Sequence, residues 1–167
     1  MDLYRITEMT EDAAEQIASW NYPPPFAIYS FGGDAAEREE LQNGLHFAAY
    51  RAAFGELPCA FIAIGWSAQI QDPGLREIYD DESYTDIAFG LRPDLCGQGY
   101  GEGFVKCAID FVRSLFPEDG IRLSVAAENI RACRLYEKLG FRVAHAFTTN
   151  AVDAACGRAL PMKIMIL

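Results

Sequence analysis

Arg92-Pro93-Asp94-Leu95-Cys96-Gly97-Gln98-Gly99-Tyr100-Gly101-Glu102-Gly103-Phe104 is the stretch around which the rest of this chain arranges itself. Gly97, Gly99, Gly101 and Gly103 alternate across a junction where one pattern ends and another begins. Before it, residues 84–91 read as a strand. After it, Phe104, Val105, Ala108, Ile109, Val112 and Leu115 recur at the helical period, which predicts a helix over 101–116 that Pro117 and Gly120 end. Residues 121–126 form the next strand, and 129–139 the next helix, with Asn129 able to cap it and Gly140 to stop it. Residues 141–148 and 160–167 read as a closing antiparallel pair.

Working back toward the N-terminus, 46–53 and 59–66 are two strands around the turn at 54–57. Residues 71–82 form a loop opened by Asp72-Pro73-Gly74. Thr10 can cap a first helix running to about Trp20, and Asp34 a short polar helix that ends before Gly44. Between these two helices lies Asn21-Tyr22-Pro23-Pro24-Pro25-Phe26, whose three prolines cannot continue a helix. Strands and helices in this order predict an α/β (α+β) sandwich with a central, mostly antiparallel sheet, in one domain over residues 1–167.

The glycine stretch carries the chemistry. Glycine has no side chain, so backbone can bend sharply and approach a ligand closely. The N–H groups at a helix start lack intrahelical partners, and the helix dipole favours an anion there. A pyrophosphate suits such a place. A Walker A loop uses the same physics, but no Lys-Ser or Lys-Thr follows these glycines. A dinucleotide fingerprint would need a βαβ unit with an acidic residue about 20 positions on. A purely structural turn is the remaining reading of the glycines alone.

Composition narrows the classes. With 51% apolar and 23% charged residues among 167, the chain has the balance of a globular domain. No apolar run is long enough to span a membrane, and Met1-Asp2-Leu3-Tyr4-Arg5 does not open a signal peptide. The five cysteines, Cys59, Cys96, Cys107, Cys133 and Cys156, are widely spaced, with no metal-ligand pattern. They read as thiols in a reducing, cytoplasmic setting. The net charge of −10 argues against nucleic acid and permits a cationic partner.

A second motif gives the glycines a context. Residues 125–141, Val125-Ala126-Ala127-Glu128-Asn129-Ile130-Arg131-Ala132-Cys133-Arg134-Leu135-Tyr136-Glu137-Lys138-Leu139-Gly140-Phe141, resemble the pattern V-x-x-x-N-x-x-A-x-x-L-Y-E-K-L-G-F of the GNAT superfamily at every specified position. Residues 93–101 resemble that superfamily's pyrophosphate loop, P-x-x-(Q/R)-G-x-G-x-G, and the two motifs follow in the same order and spacing. One position departs: Cys96 stands where Gln or Arg is usual.

The resemblance implies a GNAT-like sheet in which two parallel strands, 84–91 and 121–126, splay apart, with helices on both faces. It implies acetyl-CoA as co-substrate, a primary amine (small molecule or peptide) that attacks the thioester directly, and compatibility with a homodimer. Phe89, Gly90 and Leu91 would meet the pantetheine arm. Gly97, Gln98, Gly99, Tyr100, Gly101, Glu102 and Gly103 would meet the pyrophosphate, with Lys106 offsetting the charge of Glu102. Asn129 is read both as a helix cap and as a neighbour of pantetheine. Tyr136 would assist departure of the thiolate as a proton donor.

The general base is less determined. Asp86 is one candidate, the acidic residues Glu77, Asp80, Asp81 and Glu82 are others, and a water chain is an equal alternative. His46 and His145 have the intrinsic range for proton shuttling. Trp20, Tyr22, Phe26 and Tyr29 form an aromatic wall suited to the acceptor, or simply cover the sheet. No metal is implied. An acyl-CoA-binding module without turnover is the alternative function.

Overall fold

The computed structural model describes residues 3–150 and 157–167. Cys156 and the first two residues of the opening pentapeptide lie outside them. Seven strands form one sheet in the order β1-β2-β3-β4-β5-β7-β6, in which β4 and β5 are parallel. The chain divides into two compact units, residues 1–63 with 89–115, and residues 64–88 with 116–167.

The first unit holds β1 (Arg5–Glu8), α1 (Glu11–Ala18), α2 (Ala35–Leu41), β2 (His46–Tyr50) and most of β3 (Ala60–Ile64). β1 pairs antiparallel with β2, and β2 with β3, in the register Ala48↔Phe61. Both expected caps form: Ala13 N–H donates to Thr10 Oγ1 (3.2 Å) and Glu37 N–H to Asp34 Oδ1 (2.9 Å). α1 stops at Ala18, two residues before the sequence pattern suggests, and Trp20 instead packs into the core. Ala13, Ala14, Ile17 and Ala18 of α1, Leu41 of α2, Trp20, Ala48 and Phe61 make one apolar cluster.

Neighbouring residues of a strand face opposite sides of a sheet. Ala48 meets the α1/α2 cluster, whereas Phe47 packs edge-on against Phe111 of α4 (Tyr100–Leu115), ring centroids 4.9 Å apart. Helices therefore cover both faces here, as expected. α4 buries Phe104, Val105, Ala108, Ile109 and Val112, five of the six periodic positions read from the sequence, while the sixth, Leu115, is exposed at the last residue of the helix.

The second unit holds α3 (Arg76–Tyr79), β5 (Gly120–Ala126), α5 (Ile130–Lys138), β6 (Arg142–Thr148), β7 (Pro161–Ile166) and the first part of β4 (Tyr84–Leu91). The parallel register of β4 and β5 runs from Tyr84↔Gly120 to Ile87↔Leu123, and β5 continues three residues further. β7 lies between β5 and β6 and pairs antiparallel with both. Its Ile164 and Met165 are fully buried. The expected loop at 71–82 contains a 3₁₀ turn at Pro73–Leu75, capped by Asp72, followed by α3.

Candidate active site

β4 ends at Leu91, and a 3₁₀ turn at Pro93–Leu95 leads into the glycines. Gly97 has φ +76° and Gly99 φ +87°, the left-handed region that favours glycine. A Cβ built on Gly99 meets nothing within 4 Å. Space at this turn is therefore open, and backbone conformation alone demands the glycine. α4 then begins with Tyr100-Gly101-Glu102-Gly103. Glycine inside a helix costs about 1 kcal/mol relative to alanine. Two glycines in one first turn exchange helix stability for bare backbone at the end where N–H groups lack helical partners.

The charges nearby are arranged. Lys106 Nζ pairs with Glu102 Oε1 at 2.8 Å, one turn along the helix, so the carboxylate within the loop is countered as expected. Arg92, which the sequence reading did not single out, holds Asp94 through Nε (2.7 Å) and Nη2 (3.1 Å). Those bonds keep the Asp94 carboxyl below the usual carboxylate range. Arg92 Nη1 is buried and has no hydrogen-bond partner. The Arg92 guanidinium carbon lies 5.3 Å from the centroid of the Phe54 ring. The only sequence signal for Arg92 was its proximity to the loop.

Cys96 replaces a longer polar side chain, and its thiol turns back toward the carbonyls of Leu91 (3.6 Å) and Arg92 (3.7 Å). The position thus supports the strand end. Gln98 Nε2 donates to the Asp94 carbonyl, which places that side chain on the preceding turn. The Tyr100 ring lies edge-on to Phe54 (5.3 Å), and its carbonyl accepts the Tyr4 hydroxyl (3.1 Å).

The end of β4 has two edges. Arg92 N–H donates to the Cys59 carbonyl at 2.9 Å, toward β3. Across a trans peptide the C=O points opposite to the following N–H, so the Leu91 carbonyl faces the edge away from β3. Strand alternation turns Phe89 to the same edge and Gly90 toward β3. Phe89 and Leu91 thus turn their backbone groups to the edge away from β3, and Gly90 makes a steric demand of its own. A Cβ on Gly90 would stand 1.9 Å from Cε1 of Phe61, whose ring lies directly on the strand. Phe89 packs against Phe104 of α4, centroids 5.9 Å apart.

The aromatic residues expected to face an acceptor divide. Trp20 is buried beside Phe61, centroids 6.2 Å apart, and belongs to the core. Tyr22 reaches the Leu91 carbonyl through its hydroxyl at 2.7 Å. Burial pushes its phenol well above the usual tyrosine range. Phe26 and Tyr29 begin and end a 3₁₀ turn, Phe26 half-buried and Tyr29 exposed.

In the second unit, Asp86 is buried and accepts from Arg122 Nε (2.6 Å) and Nη2 (2.9 Å), and from Gln69 Nε2 (2.8 Å). Arg122 also donates to the Ile78 carbonyl (2.5 Å), and the rings of Tyr79 and Tyr84 lie 5.3 and 5.4 Å from its guanidinium carbon. A carboxylate bound by three N–H donors is committed to holding a buried cation. Of the exposed acidic candidates, Asp81 accepts from Ser83 through Oδ1, 2.6 Å to the hydroxyl and 3.1 Å to N–H, and its pKa is lowered. His46 is buried, with Nδ1 3.1 Å from Asn43 Oδ1, and His145 lies exposed on β6.

Asn129 caps α5, accepting the Ala132 N–H at 3.2 Å, so the capping half of its double reading is present. Tyr136, on α5, packs against Phe141 with centroids 5.7 Å apart. Among the described residues no group of three or more His, Cys, Asp or Glu is placed to hold a metal ion, and no helix is long and apolar enough to cross a membrane.

Comparison with known proteins agrees with the fold. The model of the acetyltransferase (GNAT) domain matches residues 5–142. Mycothiol acetyltransferase from Mycobacterium avium is 26% identical over 150 residues, 86% of this chain but 37% of that protein. The chain thus spans little more than a third of the length of the curated relatives it matches. Among solved structures, spermidine N-acetyltransferase from Vibrio cholerae in complex with CoA and spermine has a TM-score of 0.73 at 16% identity, covering 99% of this chain and 95% of that one. A GNAT-family acetyltransferase from Bacillus anthracis has a TM-score of 0.71 at 13% identity, covering 99% and 94%. A glycine turn opening a helix, a parallel pair within an otherwise antiparallel sheet, and a domain match over most of the chain lead to one assignment: this chain belongs to the GNAT acetyltransferase family.

Proposed function

We propose that this protein is an N-acetyltransferase that transfers the acetyl group of acetyl-CoA to a primary amine. The observation that carries the reading is the turn at Gly97 and Gly99, both at positive φ with open space at Gly99, leading into the start of α4. Acetyl-CoA supplies an activated thioester. Phe89 and Leu91 meet its pantetheine amides by strand-like pairing, and the first turn of α4 meets its pyrophosphate.

The amine attacks the thioester carbonyl directly, without an acyl-enzyme. An alkylamine has a pKa of about 10.4 and must first lose a proton. Asp86 is engaged by Arg122, so this proton goes to water. Tyr136 donates a hydrogen bond from its phenol to the departing thiolate. An amine acceptor is supported by the spermine-bound relative and by the net charge of −10, which favours a cation.

The test is a thermal shift and calorimetry with acetyl-CoA, followed by free-thiol release across a panel of polyamines, amino sugars, amino acids and peptides. Acetyl-CoA at 100 times Kd stabilises by about 2.7 kcal/mol, and at least one amine releases thiol. Stabilisation by ATP or NAD in place of acetyl-CoA would overturn the coenzyme assignment. Tight acetyl-CoA binding with no thiol release from any amine would make the chain a binding module.

A further inference from the structure

The segment joining α1 to α2 is closed on itself. Tyr22 N–H donates to Ser30 Oγ at 2.8 Å, Phe26 N–H to the Pro23 carbonyl at 2.9 Å, and Ser30 N–H to the Ala27 carbonyl at 3.0 Å. Its two ends, Trp20 and Phe31, both lie against Phe61, at 6.2 and 5.5 Å between centroids. Phe61 in turn fills the space over Gly90. The next residue of β4, Leu91, accepts the Tyr22 hydroxyl at 2.7 Å. Residues 20–31 are therefore fastened to Gly90 by packing and to Leu91 by one short hydrogen bond between groups 69 positions apart.

That bond uses the carbonyl facing away from β3, the edge assigned above to pantetheine. A carbonyl oxygen has two acceptor sites. Here one takes the Tyr22 hydroxyl at 2.7 Å and the other the Cys96 thiol at 3.6 Å. A thiol is a weak donor. An amide N–H arriving at Leu91 displaces it at little cost and leaves Tyr22 in place. Tyr22 then touches the same oxygen as the coenzyme while its backbone carries the acceptor wall.

We propose that Tyr22 is a positioning residue that couples the two substrates: its hydroxyl, held by the Leu91 carbonyl, sets the 20–31 wall against the strand that carries the coenzyme, so that acceptor recognition depends on how this segment is held. This rests on the coenzyme reading above and assigns the dependence to a named side chain. The class of acceptor it serves is an amine that meets a proline-lined surface with one exposed ring, since Pro23, Pro24, Pro25 and Tyr29 are exposed on the segment.

The test is Tyr22→Phe, which keeps the ring. The expected result is an acceptor KM raised about tenfold, the scale of one lost buried hydrogen bond, with kcat at saturating acceptor and coenzyme Kd each within about twofold of wild type. Hydrogen exchange of the 26–31 amides should speed up about tenfold without coenzyme, and coenzyme should slow it in wild type but not in the variant. Ser30→Ala loosens the same segment without touching Leu91, and should raise acceptor KM in the same direction. It carries the test if Tyr22→Phe does not fold. An unchanged acceptor KM with unchanged exchange at 26–31 overturns the proposal, as does a tenfold loss of coenzyme affinity with acceptor KM unaltered. Failure of the coenzyme reading looks different: wild type then shows no acetyl-CoA binding, while exchange in the coenzyme-free variant still reports whether Tyr22 anchors the segment.

Discussion

Tyr136→Phe removes one hydroxyl and leaves the ring that packs on Phe141. If that hydroxyl helps the thiolate leave, turnover falls by about 10²-fold, the scale of a positioned proton donor. Coenzyme affinity then stays near wild type, because the contact strengthens only as charge develops on sulfur. Steady-state thiol release beside calorimetry checks both. Gly90 makes a different demand. Gly90→Ala places a methyl group 1.9 Å from a buried ring held between Trp20 and Phe31. Overpacking of this kind costs about 1–3 kcal/mol. Urea unfolding of Gly90→Ala should show that loss, and adding Phe61→Leu should recover part of it, with a coupling of about 1 kcal/mol. Additive effects would mean the ring is not what excludes the side chain. Neither Gly90 nor Tyr22 could be read this way from the sequence. Gly90 stood among coenzyme contacts and Tyr22 among acceptor contacts, since a clash across 29 positions or a bond across 69 leaves no local pattern.

Elements were legible where local physics decides them. Thr10, Asp34 and Asn129 each cap the helix they precede, because an Asn, Asp or Thr side chain competes for the first free N–H groups whatever surrounds it. The apolar period of α4 identified its buried face except at Leu115, where the helix ends and the side chain is exposed. β1, by contrast, was not anticipated: four residues, Arg5 to Glu8, are too few to show a period, and pairing with β2 makes them a strand. Two strand ends were read too long, at Tyr50 and Ile64, where 3₁₀ turns intervene and Gly65 takes φ +63°. The glycine turn allows a prediction of its own. Gly99→Val meets open space but forces a β-branched residue to φ +87°, at a cost of about 1–3 kcal/mol. The folded variant should bind acetyl-CoA at least about tenfold more weakly, since relaxing that strain moves the N–H groups of the turn. Equal affinity by calorimetry would place the pyrophosphate elsewhere.

Over the whole molecule, buried ionisable groups decide how stability responds to solution conditions. Burial lowers the His46 imidazole below its ordinary 6.5, against the smaller opposing pull of Glu40. The unfolded chain therefore binds more protons than the folded one between pH 6.5 and that lowered value. Stability is complete above this window and falls as pH drops through it. Chemical unfolding at pH 7 and pH 5 should show the loss, and His46→Gln should remove His46's share of it. Cys59 is shielded in a similar way: burial pushes its thiol to about 11, so it stays protonated at neutral pH. The placement of β7 has a consequence for how this protein is made. Residues of β5 and β6 leave the ribosome before those of β7, so the β5 edge opposite β4 and the β6 edge that pairs with β7 both lack their partner until β7 arrives to lie between them. In that interval two strand edges stand open at once, the state in which nascent chains pair with one another. Synthesis slowed just before Pro161 would prolong that exposure, and synthesis that hurries through it would shorten it.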